Sequence, residues 1–160
     1  MFGKGMTLVT LFGFKVKIDL SWLILGFLIT WSLATGLFPH YHEGLSAATY
    51  WIMGVVGAIG LLVSIVFHEL WHSLIARRFG IPMRGITLFI FGGVAEMTEE
   101  PPSPKAEFFM AVAGPASSIV LGGLLIGTFF FGASADWPEP VTGVISYLGY
   151  LNFLSLIHIS

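Results

Sequence analysis

Four stretches of the chain, Leu20–Phe38, Tyr50–Phe67, about Phe108–Phe131 and about Val141–Ile157, contain no charged residue. A helix needs about 20 apolar residues, within a range of roughly 17 to 25, to cross the hydrocarbon of a bilayer. The expected fold class is therefore an α-helical polytopic membrane protein with about four transmembrane helices. The second stretch is expected to continue as helix to about Phe79. Composition agrees: of 160 residues 56% are hydrophobic and 10% charged, against roughly a quarter charged in a soluble domain. Residues 1–160 read as a single membrane core, with helices over 20–38, 50–79, 108–131 and 141–157.

The few charges are unevenly placed. Lys4, Lys15 and Lys17 precede the first span, and Arg77, Arg78, Arg84 and Lys105 lie between the second and third. The other two connections, HYHEG and ASADWPEP, carry no Lys or Arg. All basic residues thus fall on one side, which the positive-inside rule makes cytoplasmic, together with the N-terminus. Trp22, Tyr41, Tyr50, Trp51 and Trp137 lie near span ends, where amphipathic rings favour the interface. A secretory signal cleaved near Ser32-Leu33-Ala34 is the competing account of the N-terminus, but the apolar run starts late and is as long as a span. There is no basic field for nucleic acid. The partners expected are the lipid bilayer and, if the chemistry below holds, a membrane polypeptide, and homo-oligomers are compatible with this sequence. Cysteine is absent, which excludes disulfides and thiolate metal sites.

Two short β-hairpins are expected. Thr7–Leu11 and Phe14–Ile18 read as strands turning near Gly13, and Ile86–Phe91 and Val94–Met97 as strands joined by Gly92-Gly93. The second hairpin is as apolar as a span, yet too short and glycine-broken to cross. Non-helical backbone at membrane depth persists only when buried in protein or lining a wet cavity. The hairpin is therefore expected beside the helices at membrane level on the cytoplasmic side, a greasy surface hairpin being the alternative. Pro101, Pro102 and Pro104 forbid helix and mark a stiff linker into the third span.

Ionisable groups at the end of the second span are costly and call for a reason. His68-Glu69-Leu70-Trp71-His72 is H-E-x-x-H. On a helix, positions i and i+4 are about 40° apart, so both imidazoles can hold one metal. Glu69 is offset by about 100° and can reach a metal-bound water without occupying a coordination position. Zinc lowers the pKa of such a water towards 7, and the carboxylate can take its proton as it attacks a carbonyl. By itself the string is only a hypothesis. The alternative is a helix emerging into the interface, although Leu70, Trp71, Leu74 and Ile75 keep it apolar until Arg77.

HELWHSLIARRFGIPM, then ITLFIFGGVAEM, then SPKAEFFMAVAGPASSIVLGG, resembles the site-2 protease family of intramembrane zinc metalloproteases, and the likeness extends to FGFKVKIDLSW at the N-terminus. The order of these pieces is more specific than any one of them. The resemblance implies a zinc-dependent endopeptidase acting on transmembrane segments, with zinc as cofactor, His68 and His72 as ligands and Glu69 as general base. It also implies that Gly92, Gly93 and Val94 belong to a membrane-level strand that holds substrate; a prokaryotic cell membrane is the expected location, and the basic residues after the second span put its histidine end towards the cytoplasm. An exposed strand edge suits that task, because an extended substrate needs main-chain partners.

The sequence departs from the family pattern in several places. A catalytic zinc usually has three protein ligands, and two are visible here. The family's third is an aspartate in a later L-D-G; Tyr147 to Asn152 resembles the approach to it, and no aspartate follows. The chain therefore reads as truncated at its C-terminus, with a doubtful LSLIHIS ending. Residues 1–160 alone are expected to bind zinc weakly and hydrolyse little. Glu96, Glu99 and Glu100 are poor substitutes in a proline-rich turn, and His158 lies in the doubtful tail. Glu107 suits the first turn of the third span. His40, His42, Asp136 and Glu139 belong to the opposite membrane side. Trp71 stands where the family has a small residue, either narrowing a helix contact or facing lipid, and Ser118 where it often has asparagine. Gly114-Pro115 loosens the third span, and ordinary span packing is the reading adopted for it. Two other functions compete: a metal-handling membrane protein with the histidines on an ion path, and an inactive scaffold.

Overall fold

The computed structural model describes residues 6–89, 92–97 and 100–159, with the backbone alone at 84, 89, 92–97 and 155–159. The elements run β1 (Met6–Leu11), β2 (Phe14–Ile18), α1 (Leu20–Ser32), a π-helical turn (Leu33–Leu37), α2 (Phe38–Tyr41), α3 (Ala47–Arg78), β3 (Met83–Phe89), β4 (Gly92–Met97), α4 (Pro104–Ser134) and α5 (Glu139–Ile159). Three segments are long and apolar enough to cross a membrane among the described residues: Leu20–Tyr41, Ala47–Arg78 and Pro104–Ser134. The fourth expected span lies on α5, a helix of 21 residues. Large apolar side chains stand outward along these helices, including Phe27, Ile59, Leu124 and Phe130. Hydrocarbon, not water, is the solvent that tolerates such a surface.

Helix ends follow local capping chemistry rather than hydropathy. Helix α3 begins at Ala47, before the expected Tyr50, because the Ser46 hydroxyl accepts from Thr49 N–H at 3.2 Å. Helix α4 begins at Pro104, before the expected Phe108. The Ser103 hydroxyl accepts from Ala106 N–H at 3.1 Å, and proline in the first turn lacks only an N–H that has no intrahelical partner. Pro104 therefore admits the helix at its first turn, while Pro101 and Pro102 stay outside it as expected.

The described residues form two compact units, those within 6–25 and 65–117, and those within 26–64 and 118–159. In the first, the four strands form one sheet in the order β1-β2-β3-β4. The N-terminal hairpin turns through Phe12 and Gly13, both at positive φ of 51° and 84°, as a two-residue hairpin turn requires. Strand β2 alternates buried Phe14, Val16 and Ile18 with Lys15 and Lys17. It pairs in parallel with β3, Val16 opposite Ile86 and Ile18 opposite Leu88. The two expected hairpins are thus the two ends of a single sheet, joined by a long-range parallel contact that local patterning does not show. Beyond the strand, Asp19 N–H donates to the Leu88 carbonyl at 2.8 Å, and its carboxylate accepts from Ser21 N–H at 2.9 Å, starting α1.

The second hairpin differs from expectation. Strand β3 starts at Met83 and pairs with β4 so that Phe89 faces Gly92 and Leu88 faces Gly93. Gly92-Gly93 is thus ladder, not turn, because both glycines have partners in this register; Ile90 and Phe91 lie outside the described residues.

In the second unit, Leu33, Phe38, Met53 and Val144 form a buried cluster with Tyr147 and Leu148 against it. Tyr50 hydroxyl donates to the His42 carbonyl and accepts from Leu45 N–H. His42 Nδ1 lies 2.9 Å from Glu139 Oε1. Buried Asn152 donates from Nδ2 to Ser64 Oγ at 3.1 Å and to the Leu148 carbonyl at 2.8 Å.

Candidate metal centre

The C-terminal end of α3 closes with a left-handed glycine. Gly80, at φ +80°, donates to the Arg77 carbonyl at 3.0 Å, and Ile81 N–H donates to the Ala76 carbonyl at 3.0 Å. This pair of bonds is the Schellman arrangement, which places Ile81 back against the last turn. Ile81 and Ala76 pack there with Met110 of α4, beside Ile75 and Met83. A backbone turn after α3 thereby anchors the segment of α4 that faces His72.

His68 and His72 stand one turn apart on α3, and their Nε2 atoms are 3.2 Å apart. The rings meet edge to face with centroids 4.9 Å apart. His68 is buried and His72 half-buried. His72 Nδ1 contacts the Met110 carbonyl. A carbonyl only accepts, so Nδ1 carries the proton and the neutral ring presents its Nε2 lone pair. Facing these nitrogens is Gly114, one turn after Met110 on α4. A Cβ added there would lie 2.5 Å from His68 Nε2 and closer still to His72 Nε2. Both Nε2 atoms thus stand where a side chain at residue 114 would have to be.

The pair fits a zinc ion. Two imidazole nitrogens at about 2.0–2.1 Å from a tetrahedral metal are about 3.3 Å apart, close to the 3.2 Å observed. The bond from Nδ1 to a carbonyl is the usual support of a metal-binding imidazole. Glu69 is half-buried on the neighbouring face of the helix, and Ser73 Oγ donates to its backbone carbonyl at 3.0 Å. Among the described residues no group of three His, Asp or Glu is gathered. Glu100 and Glu107 are exposed, Glu99 lies outside the described residues, and the side chains of Glu96 and His158 also lie outside them.

Gly92, Gly93 and Val94 lie on β4, at the end of the strand order and in the same compact unit as the two histidines. Their side chains are outside the described set. Trp71 is 40% exposed, its ring edge-on to Phe67, so of the two roles open to it the outward-facing one holds. His40 is exposed and His42 pairs with Glu139 in the other unit.

Two contributors escape the sequence reading. The Met110 carbonyl is invisible because any residue supplies one. Gly114 reads in the sequence only as half of a helix-loosening Gly-Pro pair. The usable signal is the i, i+4 spacing of Met110 and Gly114, which puts both on one face of α4.

Comparison with known proteins adds independent support. Residues 56–157 match the family described as peptidase family M50. The chain is 40% identical over 142 residues to the candidate zinc metalloprotease Rip3 of Mycobacterium tuberculosis, covering 89% of this chain and 36% of that protein. It is 39% identical over 145 residues to the candidate zinc metalloprotease sll0528 of Synechocystis, covering 89% and 36%. The chain thus spans about a third of the length of these relatives. Among solved structures, the site-2 protease from Methanocaldococcus jannaschii superposes with a TM-score of 0.56 at 22% identity, covering 96% of this chain and 71% of the other. That similarity establishes a shared fold.

Proposed function

Since the chain belongs to peptidase family M50, the site-2 protease family, we propose that it forms the core of a zinc-dependent endopeptidase that cuts transmembrane segments. The observation that carries this reading is the approach of two histidine Nε2 atoms to 3.2 Å, the separation a shared tetrahedral ion requires. His68 and His72 would hold the ion. When bound, zinc would supply an acidified water and polarise a carbonyl. A third protein ligand of the kind catalytic zinc sites use is expected from outside the described residues.

The other roles belong to this chain's own groups. Glu69, beside the ligands and not one of them, accepts the proton of the attacking water and returns it to the leaving amine. The Met110 carbonyl holds the His72 ring in the tautomer that leaves Nε2 free. Strand β4 offers main-chain donors and acceptors to a substrate that has given up its own helical hydrogen bonds, with Gly92, Gly93 and Val94 along that edge. Depth supports a membrane substrate. At 1.5 Å per residue, a helix entering hydrocarbon at Tyr50 has crossed about 30 Å by about residue 70, so His68 and His72 sit near the far boundary, within reach of water. The distribution of Lys and Arg makes that boundary cytoplasmic, and a prokaryotic cell membrane fits the organisms of the relatives.

Glu69→Gln tests the assignment. In the protein carrying this sequence, the variant should keep zinc, measured by elemental analysis after dialysis, and lose cleavage of a transmembrane peptide by at least about 100-fold. Retained cleavage would remove Glu69 from the mechanism, and absence of zinc from the unaltered protein would remove the metal.

A further inference from the structure

On the premise that His68 and His72 hold zinc, we infer that Gly114 is a positioning residue: its missing side chain is the clearance that lets both imidazoles stand with their Nε2 atoms 3.2 Å apart. The inference rests on what surrounds the position. A Cβ at 114 would lie 2.5 Å from His68 Nε2, 2.7 Å from His72 Cε1, and nearest of all to His72 Nε2. Real Cβ atoms do not sit that close to other atoms, so something must move.

Neither ring can move freely. His72 is tethered through Nδ1 to the carbonyl of Met110, four residues before Gly114 on the same helix. Swinging the ring away from residue 114 breaks that bond and releases the tautomer. His68 is 3% exposed, so its ring is enclosed by protein and cannot swing into solvent without opening the structure. Helix α4 cannot simply retreat, because Met110 is packed with Ala76 and Ile81. The Gly114 peptide is itself held, its carbonyl accepting from Ser117 Oγ at 2.6 Å. Pro115 follows inside the helix, and its lack of an N–H leaves the Ala111 carbonyl without its usual donor. Glycine then proline thus combine clearance at one residue with a locally loosened ladder beside the Met110 carbonyl. On the same helix Gly122 and Gly132 make room for the rings of Phe153 and Trp137, whereas a Cβ at Gly123 or Gly127 would meet nothing within 4 Å.

The experiment compares zinc affinity in the unaltered protein, Gly114→Ala and Gly123→Ala, by competition with a chromophoric chelator in detergent. Cobalt absorption serves as a second readout of ligand geometry. Gly123→Ala should match the unaltered protein. Gly114→Ala should bind about 10–100-fold more weakly, the range seen when groups supporting a metal ligand are lost, with an altered cobalt spectrum. If the unaltered protein binds no zinc, the zinc reading itself fails. If it binds and Gly114→Ala binds equally well with the same cobalt spectrum, the inference about Gly114 fails alone.

Should Gly114→Ala not fold, the triple variant Gly114→Ala/His68→Ala/His72→Ala decides, with His68→Ala/His72→Ala as its reference and metal-free unfolding as the measurement. If the two imidazoles are what the methyl strikes, the triple variant should fold and unfold like that reference. A triple variant as damaged as Gly114→Ala would make residue 114 an ordinary packing position and overturn the proposal.

Discussion

From Ala47 to Ser64, α3 packs by omitting its own side chains. A Cβ at Gly54 would stand 2.7 Å from the Thr30 carbonyl and 3.3 Å from the Ala34 Cβ, and one at Gly57 would stand 3.0 Å from Leu33 Cδ1. From Ile65 to Arg78 the same helix keeps large polar side chains, and the space comes from its neighbour, at Gly114. In the first half, room admits hydrocarbon and backbone, where apolar contacts and close approach hold helices together in lipid. In the second it admits two imidazoles whose lone pairs must remain available. Small residues in a span are therefore not interchangeable: some bring helices together, and one keeps helix backbone at a working distance from a reactive pair.

The largest effects should come from the polar half. His72→Ala removes one of two aligned nitrogens, and zinc affinity should fall by at least about 100-fold, measured by the same chelator competition. The Met110 carbonyl then also loses its donor, so His72→Gln, which can restore a donor but no imidazole, should recover stability without recovering zinc. If His72→Ala kept the affinity of the unaltered protein, the polar half would be packing after all, and the contrast would vanish.

The apolar half should respond in stability only. Gly54→Val places a branched side chain against the Thr30 backbone, and overpacking of this kind costs about 1–3 kcal/mol. Unfolding in mixed micelles should shift accordingly, while zinc affinity per folded molecule stays unchanged. A Gly54→Val protein that folds normally but has lost zinc would mean the two halves are coupled.

These outcomes also separate what the sequence could reveal from what it could not. The spans, the N-terminal hairpin and the H-E-x-x-H spacing are local properties, carried by hydropathy, by the turn at Phe12-Gly13 and by helical periodicity. The helix starts at Ala47 and Pro104 moved because one serine hydroxyl outranks several apolar residues in deciding where a helix begins. The parallel contact between β2 and β3 joins residues about 70 apart in sequence, as Val16 and Ile86, and nothing within either strand names its partner. The turn of the second hairpin was misplaced at Gly92-Gly93 because glycine is read as turn chemistry, whereas here it lies in a ladder. Gly114 could be seen in the sequence, but its duty could not, because that duty depends on which atoms face it from another helix.

A smaller effect is expected where one polar group serves the apolar half. Asn152 donates to Ser64 Oγ and to the Leu148 carbonyl within the second unit. Side-chain hydrogen bonds between helices in a membrane average about 0.6 kcal/mol and reach about 1.7. Asn152→Leu should therefore cost about 1 kcal/mol in micellar unfolding, less than Gly54→Val. A cost well above about 3 kcal/mol would show that the asparagine does more than join helices.

The smallest effect belongs to Arg77, in the last turn of α3. Its guanidinium lies 3.9 Å above the centroid of the Phe14 ring, while Phe14 is fully buried at the start of β2. Arg77 itself is exposed, so the cation–π attraction is worth about 0.5–1 kcal/mol. Part of that contact is the apolar stem lying over the ring, which methionine would reproduce without the charge. Arg77→Met should accordingly leave global unfolding almost unchanged and act locally. Amide exchange of Val16 and Lys17, on the strand that Phe14 begins, should quicken about 2–5-fold, the factor that corresponds to such an energy. Arg77→Lys should fall between the two, since lysine keeps the charge and loses the planar stacking surface. Because β2 pairs with β3 and β3 with β4, a loosened Phe14 should also be felt weakly at β4. Exchange that quickens at β1 and β2 and stops at β3 would show instead that the sheet's two hairpins open independently.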